Sequence, residues 1–504
     1  MMKKTGVREY NDLINKYSEI FDLDMIDGCL NWDQEVMMPP AATESRAHQL
    51  ATLAGIIHDK ITKKRLGTLV ERVMKKKEKL DDYQRANVRE IKRRYDRATK
   101  VPRELVTEFS KTKTLAFEAW QKAKKEKKFE IFSPLLEKLV DLDRKIAEHV
   151  GYDKEPYDAL LDEFEPGMTA GEVETIFNTL KEKQVPIIKK LSSLAAPESS
   201  FLNAIFTEDK QRIICEQIAK DLGYDFTRGR LDVSAHPFTI GCHDDVRITT
   251  RYNEKMLLSS LFSVIHETGH ALYEQGLDPK YKRQPVAMSI SLGIHESQSR
   301  MWENIVGRSK EFWAYYYPKL QAIFPEQLKD VPLEKFVKAV NLVKPSLIRV
   351  EADEVTYNMH IIIRFEIERL LFSNKVEVKD LPALWNSKYK EYLGIEPGDV
   401  SEGILQDVHW SMGIFGYFPT YALGNLYAAQ IYYKVLEDMP SLMMDIQAGN
   451  FQKLREWLRK NIHLKGRLYQ PKELIEVVTG KKPSPEYFLK YLRDKYGRLY
   501  NISF

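Results

Sequence analysis

Apolar residues recur at three- and four-residue spacing along most of the chain, with few glycines inside the periodic segments, which predicts helix almost throughout. Leu257, Leu258, Leu261, Phe262, Ile265 and Leu272 form one such stripe, with Gly276 placed to stop it. A second amphipathic helix is predicted over Ser289–Ser309, with Ile294, Met301 and Ile305 on its apolar face. A third, long helix is predicted over Ser346–Leu371, where Leu347, Ile348, Ala352, Val355, Met359 and Ile362 are mostly apolar. The period changes between Arg230 and Asn253. There β-branched residues flank the turn-like Gly241-Cys242-His243-Asp244-Asp245, and Val246-Arg247-Ile248-Thr249-Thr250 alternates, predicting a small sheet. The expected fold class is mainly α, with that sheet just before the helix at Leu257. A soft division follows: a helical first half over 1–222, a β segment over 223–255 and a helical second half over 256–504. No internal repeat, low-complexity tract or linker sharpens these boundaries.

Composition narrows the class. A chain of 504 residues is too long for one simple core. Hydrophobic residues make up 43% of it, as expected for a soluble globular protein. Charged residues reach 30%, above the roughly 25% of ordinary soluble chains, and the excess of Lys and Glu points to thermostability. The 77 Lys and Arg exceed the 73 Asp and Glu by only four, which gives no reason to invoke nucleic acid or an anionic membrane. The stretch Glu71–Lys100 is rich in cations, but its charges are mixed in sign and helically spaced, so it reads as a solvated helix face. Cys29, Cys215 and Cys242 are far apart and odd in number, so no disulfide framework is expected and a reducing cytoplasm fits. No apolar stretch follows the basic start Met1–Leu13, so it does not read as a signal peptide. Nowhere do apolar residues approach the roughly 20 needed to span a bilayer.

The helix at Leu257 carries His266-Glu267-Thr268-Gly269-His270. Residues i and i+4 share one helical face, so both imidazoles can reach one tetrahedral metal ion. Glu267, rotated by about 100° from His266, is then free to act as a base toward water rather than as a ligand. The same five residues also suit a buried helix with hydrogen-bonded histidines, so the pentapeptide alone leaves both readings open. A third ligand is available on the next predicted helix, where His295 and Glu296 are adjacent and only one can face the site. Glu296, 296 − 270 = 26 positions after the second histidine, completes the two-histidine, one-glutamate set of zinc peptidases. An exposed carboxylate paired with Arg300 is the plain alternative for it. Cys242, His243, Asp244 and Asp245 look superficially like ligands, but four adjacent residues in a turn cannot all point at one ion.

Several motifs together resemble the metallocarboxypeptidases of the carboxypeptidase Taq type. They are Asp245-Val246-Arg247-Ile248-Thr249, the histidine pentapeptide, His295-Glu296-Ser297-Gln298, Ile348-Arg349-Val350-Glu351-Ala352-Asp353 and Gly403-Ile404-Leu405-Gln406-Asp407-Val408-His409-Trp410, in that order. Leu30–Gly55 and Gly416–Asn425 also resemble the family's segments, so the likeness covers most of the chain. The resemblance implies a two-lobed helical fold like that of neurolysin and angiotensin-converting enzyme, with a deep central groove. It implies a homodimer, one Zn²⁺ per chain with Co²⁺ as an alternative, and removal of single amino acids from the free C-termini of peptides.

Within that resemblance His266, His270 and Glu296 hold the ion and Glu267 is the general base. His409 with Tyr421, in preference to Tyr417, stabilises the tetrahedral oxyanion. Arg349 meets the substrate's terminal carboxylate with two parallel hydrogen bonds, or is instead paired structurally with Asp353 or Glu351. His236 approaches the substrate backbone or is a buried, satisfied histidine. Asp245 and Arg247 read as an ion pair anchoring the strand edge, Gln406 and Asp407 as groups that orient neighbours, and Trp410 as packing. An oligopeptidase cutting internal bonds, or a peptide-binding protein with an inactive metal site, are the rival functions.

Overall fold

Tyr10, Leu13, Ile14, Tyr17, Ile20 and Phe21 keep the helical spacing along the first helix, Arg8–Val36, and all are buried. They pack against Leu66, Leu69, Val70 and Val73 of the helix Lys64–Met74 and against Val88 and Ile91 of the helix Asp82–Lys100, forming a small N-terminal core. This is a computed structural model, and it describes residues 6–504; the basic start of the chain falls partly on residues 1–5, outside the described residues. A larger core runs from Ala116 to Tyr496. Buried Asn87 ties the two regions together: its amide donates to the Tyr10 hydroxyl at 2.9 Å and to Gln284 Oε1 at 2.8 Å, and its oxygen accepts the Val286 N–H at 2.8 Å.

The cations of Glu71–Lys100 are largely paired, Arg94 with Asp24, Lys92 with Asp96 and Arg93 with Asp162. All three cysteines are free thiols. Among the described residues no helix is long and apolar enough to cross a membrane.

Three strands make one sheet: β1 (Leu231–Val233), β2 (Thr239–Cys242) and β3 (Asp245–Thr250), in the order β1-β3-β2. β1 runs parallel to β3 and β2 antiparallel to it, with Thr239 opposite Ile248 and Cys242 opposite Asp245. Val246 and Ile248 of the central strand are fully buried, as the alternation predicts. Arg247 pairs with Asp245 at 2.8 Å and lies over the Trp32 ring, which joins the sheet to the first helix.

Two helices predicted as continuous are interrupted. Over Ser289–Ser309 an α-helix, Leu292–Arg300, gives way to a π-helical turn, Met301–Val306. Over Ser346–Leu371 the chain forms only a 3₁₀ turn at Arg349–Glu351, and the helix begins at Tyr357. The cause is Asp353: its Oδ1 accepts the N–H groups of Val355 and Thr356 at 2.9 and 3.1 Å, a local bond that competes with continuous helix.

Candidate metal centre

The histidine helix, Leu257–Gly276, is buried on nearly every side, and it packs against the sheet and against Leu292–Arg300. Two glycines allow the close approach. A Cβ on Gly269 would lie 2.6 Å from Ser299 Cα, and one on Gly424, in the helix Pro419–Asp438, would lie 2.5 Å from Glu296 Cβ. Glu296 thereby packs directly against the backbone of the Pro419–Asp438 helix at Gly424.

His266 Nε2 and His270 Nε2 are 3.2 Å apart, and Glu296 Oε2 lies 3.6 and 3.4 Å from them. The edge of a tetrahedron built with zinc–nitrogen or zinc–oxygen bonds of about 2.05 Å is about 3.3 Å. The triangle therefore fits such an ion in size and in donor chemistry, and it is the donor cluster of this kind found among the described residues. Cys242–Asp245 contributes nothing to it: His243 Nε2 faces the Ala287 carbonyl and Asp244 pairs with Lys282.

Each donor is held from behind. His266 Nδ1 lies 2.7 Å from Glu303 Oε2, on the π-helical turn. Arg300 donates to Glu296 Oε1 at 2.7 Å and to Glu303 Oε2 at 3.2 Å. Glu296 does pair with Arg300, but through its outer oxygen and while buried, leaving Oε2 for the histidines. Burial alone would raise the Glu303 carboxyl; Arg300 and His266 outweigh it and hold it down at about 2. Glu296 is held well below its ordinary range by Arg300 and the histidines, again against burial. His270 turns its Nδ1 to His295 Nδ1, and His295 Nε2 lies 2.8 Å from Glu274 Oε1. Burial, reinforced by His295, pushes His270 down to about 3.

Glu267 is turned aside from the triangle, and its Oε2 accepts a 2.6 Å hydrogen bond from the Thr239 hydroxyl of β2. Burial raises its pKa above the usual carboxylate value.

Arg349 has a partner other than those expected. It is buried, and its Nε and Nη2 donate to Asp407 Oδ1 at 3.0 and 2.9 Å, not to Asp353 or Glu351. Arg364 donates to the other oxygen of Asp407 at 2.7 Å. One carboxylate thus serves two buried guanidinium groups. Tyr357 lies between this cluster and the triangle: its hydroxyl accepts from Arg349 Nη1 at 2.9 Å, and Arg300 sits 4.5 Å over its ring. Gln406 accepts the Arg349 backbone N–H, and Trp410 donates to Glu368 within the core.

His409 Nε2 lies 3.4 Å from the Tyr421 hydroxyl, and the Tyr417 and Tyr421 rings are 5.2 Å apart. Burial, aided by Arg349 and Arg364, lowers the His409 imidazole to about 4, so it is neutral near pH 7. His236 is exposed in the bend between β1 and β2, so it is not a buried, satisfied histidine. The supporting residues Glu303, Glu274, Arg364 and Thr239 were not singled out by sequence. Glu303 carried a signal, seven positions after Glu296 and so near the same helical face, and so did Glu274, four positions after His270.

A model of the carboxypeptidase Taq (M32) metallopeptidases matches residues 12–496. The chain belongs to that family. As a metallocarboxypeptidase it is 41% identical to Carboxypeptidase 1 of Bacillus subtilis over 501 residues, covering 98% of this chain and 99% of that protein. It is 42% identical to Thermostable carboxypeptidase 1 of Thermus thermophilus over 505 residues, covering 97% and 99%. The crystal structure of an M32 carboxypeptidase from Deinococcus radiodurans superposes with a TM-score of 0.96 at 39% identity, covering 98% of this chain and all of that one.

Proposed function

We propose that this metallocarboxypeptidase removes single amino acids from the free C-termini of peptides, with Zn²⁺, or Co²⁺ in its place, held by His266, His270 and Glu296. The observation that carries the reading is the donor triangle, with edges of 3.2, 3.6 and 3.4 Å, beside a buried carboxylate turned away from it. A divalent ion bound there supplies Lewis acidity and lowers the pKa of water to about 7.

The chain's own residues do the rest. Glu267, oriented by Thr239, takes a proton from the attacking water and returns it to the leaving amine. His409 and Tyr421 donate hydrogen bonds to the oxyanion, with Tyr417 beside them against the substrate; both tyrosines keep their protons because burial raises their pKa values. Arg349 binds the terminal carboxylate. In support, Asp407 neutralises only one of the two guanidinium groups it touches, so the cluster retains one buried positive charge that an anion would balance. β2 is an edge strand next to Glu267, suited to an extended peptide, and His236 at its approach is placed to meet the substrate backbone. A homodimer in a reducing cytoplasm is the expected setting.

The test is mass spectrometry of one peptide and its C-terminal amide, each with and without a chelator. Successive single losses from the free acid alone, stopped by chelation and restored by Zn²⁺ or Co²⁺, are expected. Internal fragments from both peptides would mean an oligopeptidase and would remove Arg349 from its role.

A further inference from the structure

The two histidines of the triangle are supported differently. His266 has a carboxylate behind it, Glu303, whereas His270 has another imidazole, His295, and only beyond that a carboxylate, Glu274. A neutral imidazole carries one N–H, so hydrogen-bond direction along this row is constrained. Glu274 accepts only, hence His295 bears its proton on Nε2. His295 Nδ1 is then a bare acceptor, and His270 must donate to it from Nδ1. His270 Nε2 is left with a free lone pair, aimed into the triangle.

The opposite order is disfavoured. Were His270 to carry its proton on Nε2, facing Glu296 Oε2 at 3.4 Å, its Nδ1 would require a donor from His295. That would strip the proton from His295 Nε2 and set a bare nitrogen 2.8 Å from the Glu274 carboxylate. Glu274, one turn after His270 on the same helix, bonds His295 and not His270; it acts through His295. The row is held in place on both sides. The Glu274 carbonyl accepts the His243 N–H at 3.2 Å from the β2–β3 turn, and the Tyr273 ring lies 5.3 Å from His295.

We propose that His295 and Glu274 are positioning residues that set the metal-accepting tautomer of His270 before any ion arrives. The inference rests on the reading of His266, His270 and Glu296 as the metal ligands. Its geometry differs from the support of His266: the carboxylate stands one imidazole further from the ligand, so its contribution is tautomer selection more than attraction for the cation.

Two measurements test it. In metal-free wild-type protein with ¹⁵N-labelled histidine, NMR at neutral pH should show His270 protonated on Nδ1 and His295 on Nε2, with the His270→Gln and His295→Leu proteins assigning the signals. An Nε2-protonated His270 in the wild type would overturn the proposal without any variant. In the second, Zn²⁺ affinity is measured by competition with a chromogenic chelator. His295→Leu, which removes the acceptor, should weaken binding roughly 10- to 100-fold. His295→Asn, whose amide oxygen can still accept from His270 Nδ1, should recover most of it. Equal affinity in the wild type and both variants, each with an unchanged circular dichroism spectrum, would sink the relay while leaving the metal site standing. A wild type that binds no ion at all would sink both.

Discussion

The Thr239 hydroxyl donates a 2.6 Å hydrogen bond to Glu267 Oε2, so β2 begins against the proposed general base. A bond to a charged acceptor in a buried site contributes on the order of 1.5–3 kcal/mol. Thr239→Val, nearly the same shape without the hydroxyl, should lower kcat by roughly tenfold while KM and bound zinc stay close to wild type. Thr239→Ser should restore the rate. A fall in zinc content, or equal loss in the serine variant, would mean that Thr239 only packs.

Arg349 and Arg364 share Asp407, which makes the consequences of removing each charge different. Arg349→Met leaves Asp407 paired with Arg364, so the protein should stay folded. Its kcat/KM for peptides with a free C-terminus should fall roughly 100-fold, mainly through KM, as expected for loss of a charged, two-bond contact. Cleavage of an amidated peptide, expected to be slow in the wild type, should not change further. Steady-state kinetics on the acid and amide pair distinguish this from general damage.

Asp407→Asn removes the anion and leaves two buried guanidinium groups without a counter-charge. Breaking a buried pair in this way costs about 3–5 kcal/mol. Urea unfolding should show a loss of that size, larger than for Arg349→Met. A variant as stable as the wild type would mean that the cluster is solvated in solution.

Glu303 lies behind His266, outside the triangle. Dialysis against a chelator should abolish peptidase activity, and Zn²⁺ or Co²⁺ should return it. Glu303→Gln should require more zinc for the same recovery, by roughly 10- to 100-fold. Recovery at wild-type zinc concentrations would leave Glu303 with no part in metal retention.

Glu368 accepts hydrogen bonds from Tyr157, Trp410 and the Gly416 N–H, yet burial still raises its carboxyl from 4.5 to about 7. The folded chain therefore binds this proton more tightly than the unfolded one. The associated stability is fully present below about pH 4.5 and is lost as pH rises through about 7. Relative to Glu368→Gln, which cannot ionise, the wild type should lose about 3 kcal/mol between pH 4.5 and 8, read from urea unfolding at several pH values. A difference independent of pH would contradict the raised pKa.

The metal triangle was largely legible in advance because its first two members are a local matter. A 3.6-residue period puts His266 and His270 on one face whatever surrounds them, and Glu296 follows on the next helix. The supporting groups were hidden for the opposite reason. Glu303 shares a helical face with Glu296 and Glu274 with His270, but which histidine each supports depends on how the two helices pack. Asp407 lies 58 positions from Arg349, far outside any local period, so the nearby Asp353 and Glu351 looked equally eligible.

By itself, then, the sequence determined the helical class, the small sheet, the faces that carry His266, His270 and Glu296, and the family. Those follow from local periodicity, from the backbone geometry of single elements and from motifs in order. Only the tertiary structure decided which oxygen of Glu296 faces the histidines, that Arg349 shares Asp407 with Arg364, that Thr239 holds Glu267 and that His295 stands between His270 and Glu274. These pairings join segments remote in the chain, and they are fixed by how closely helices approach, as at Gly269 and Gly424, where there is no room for a side chain.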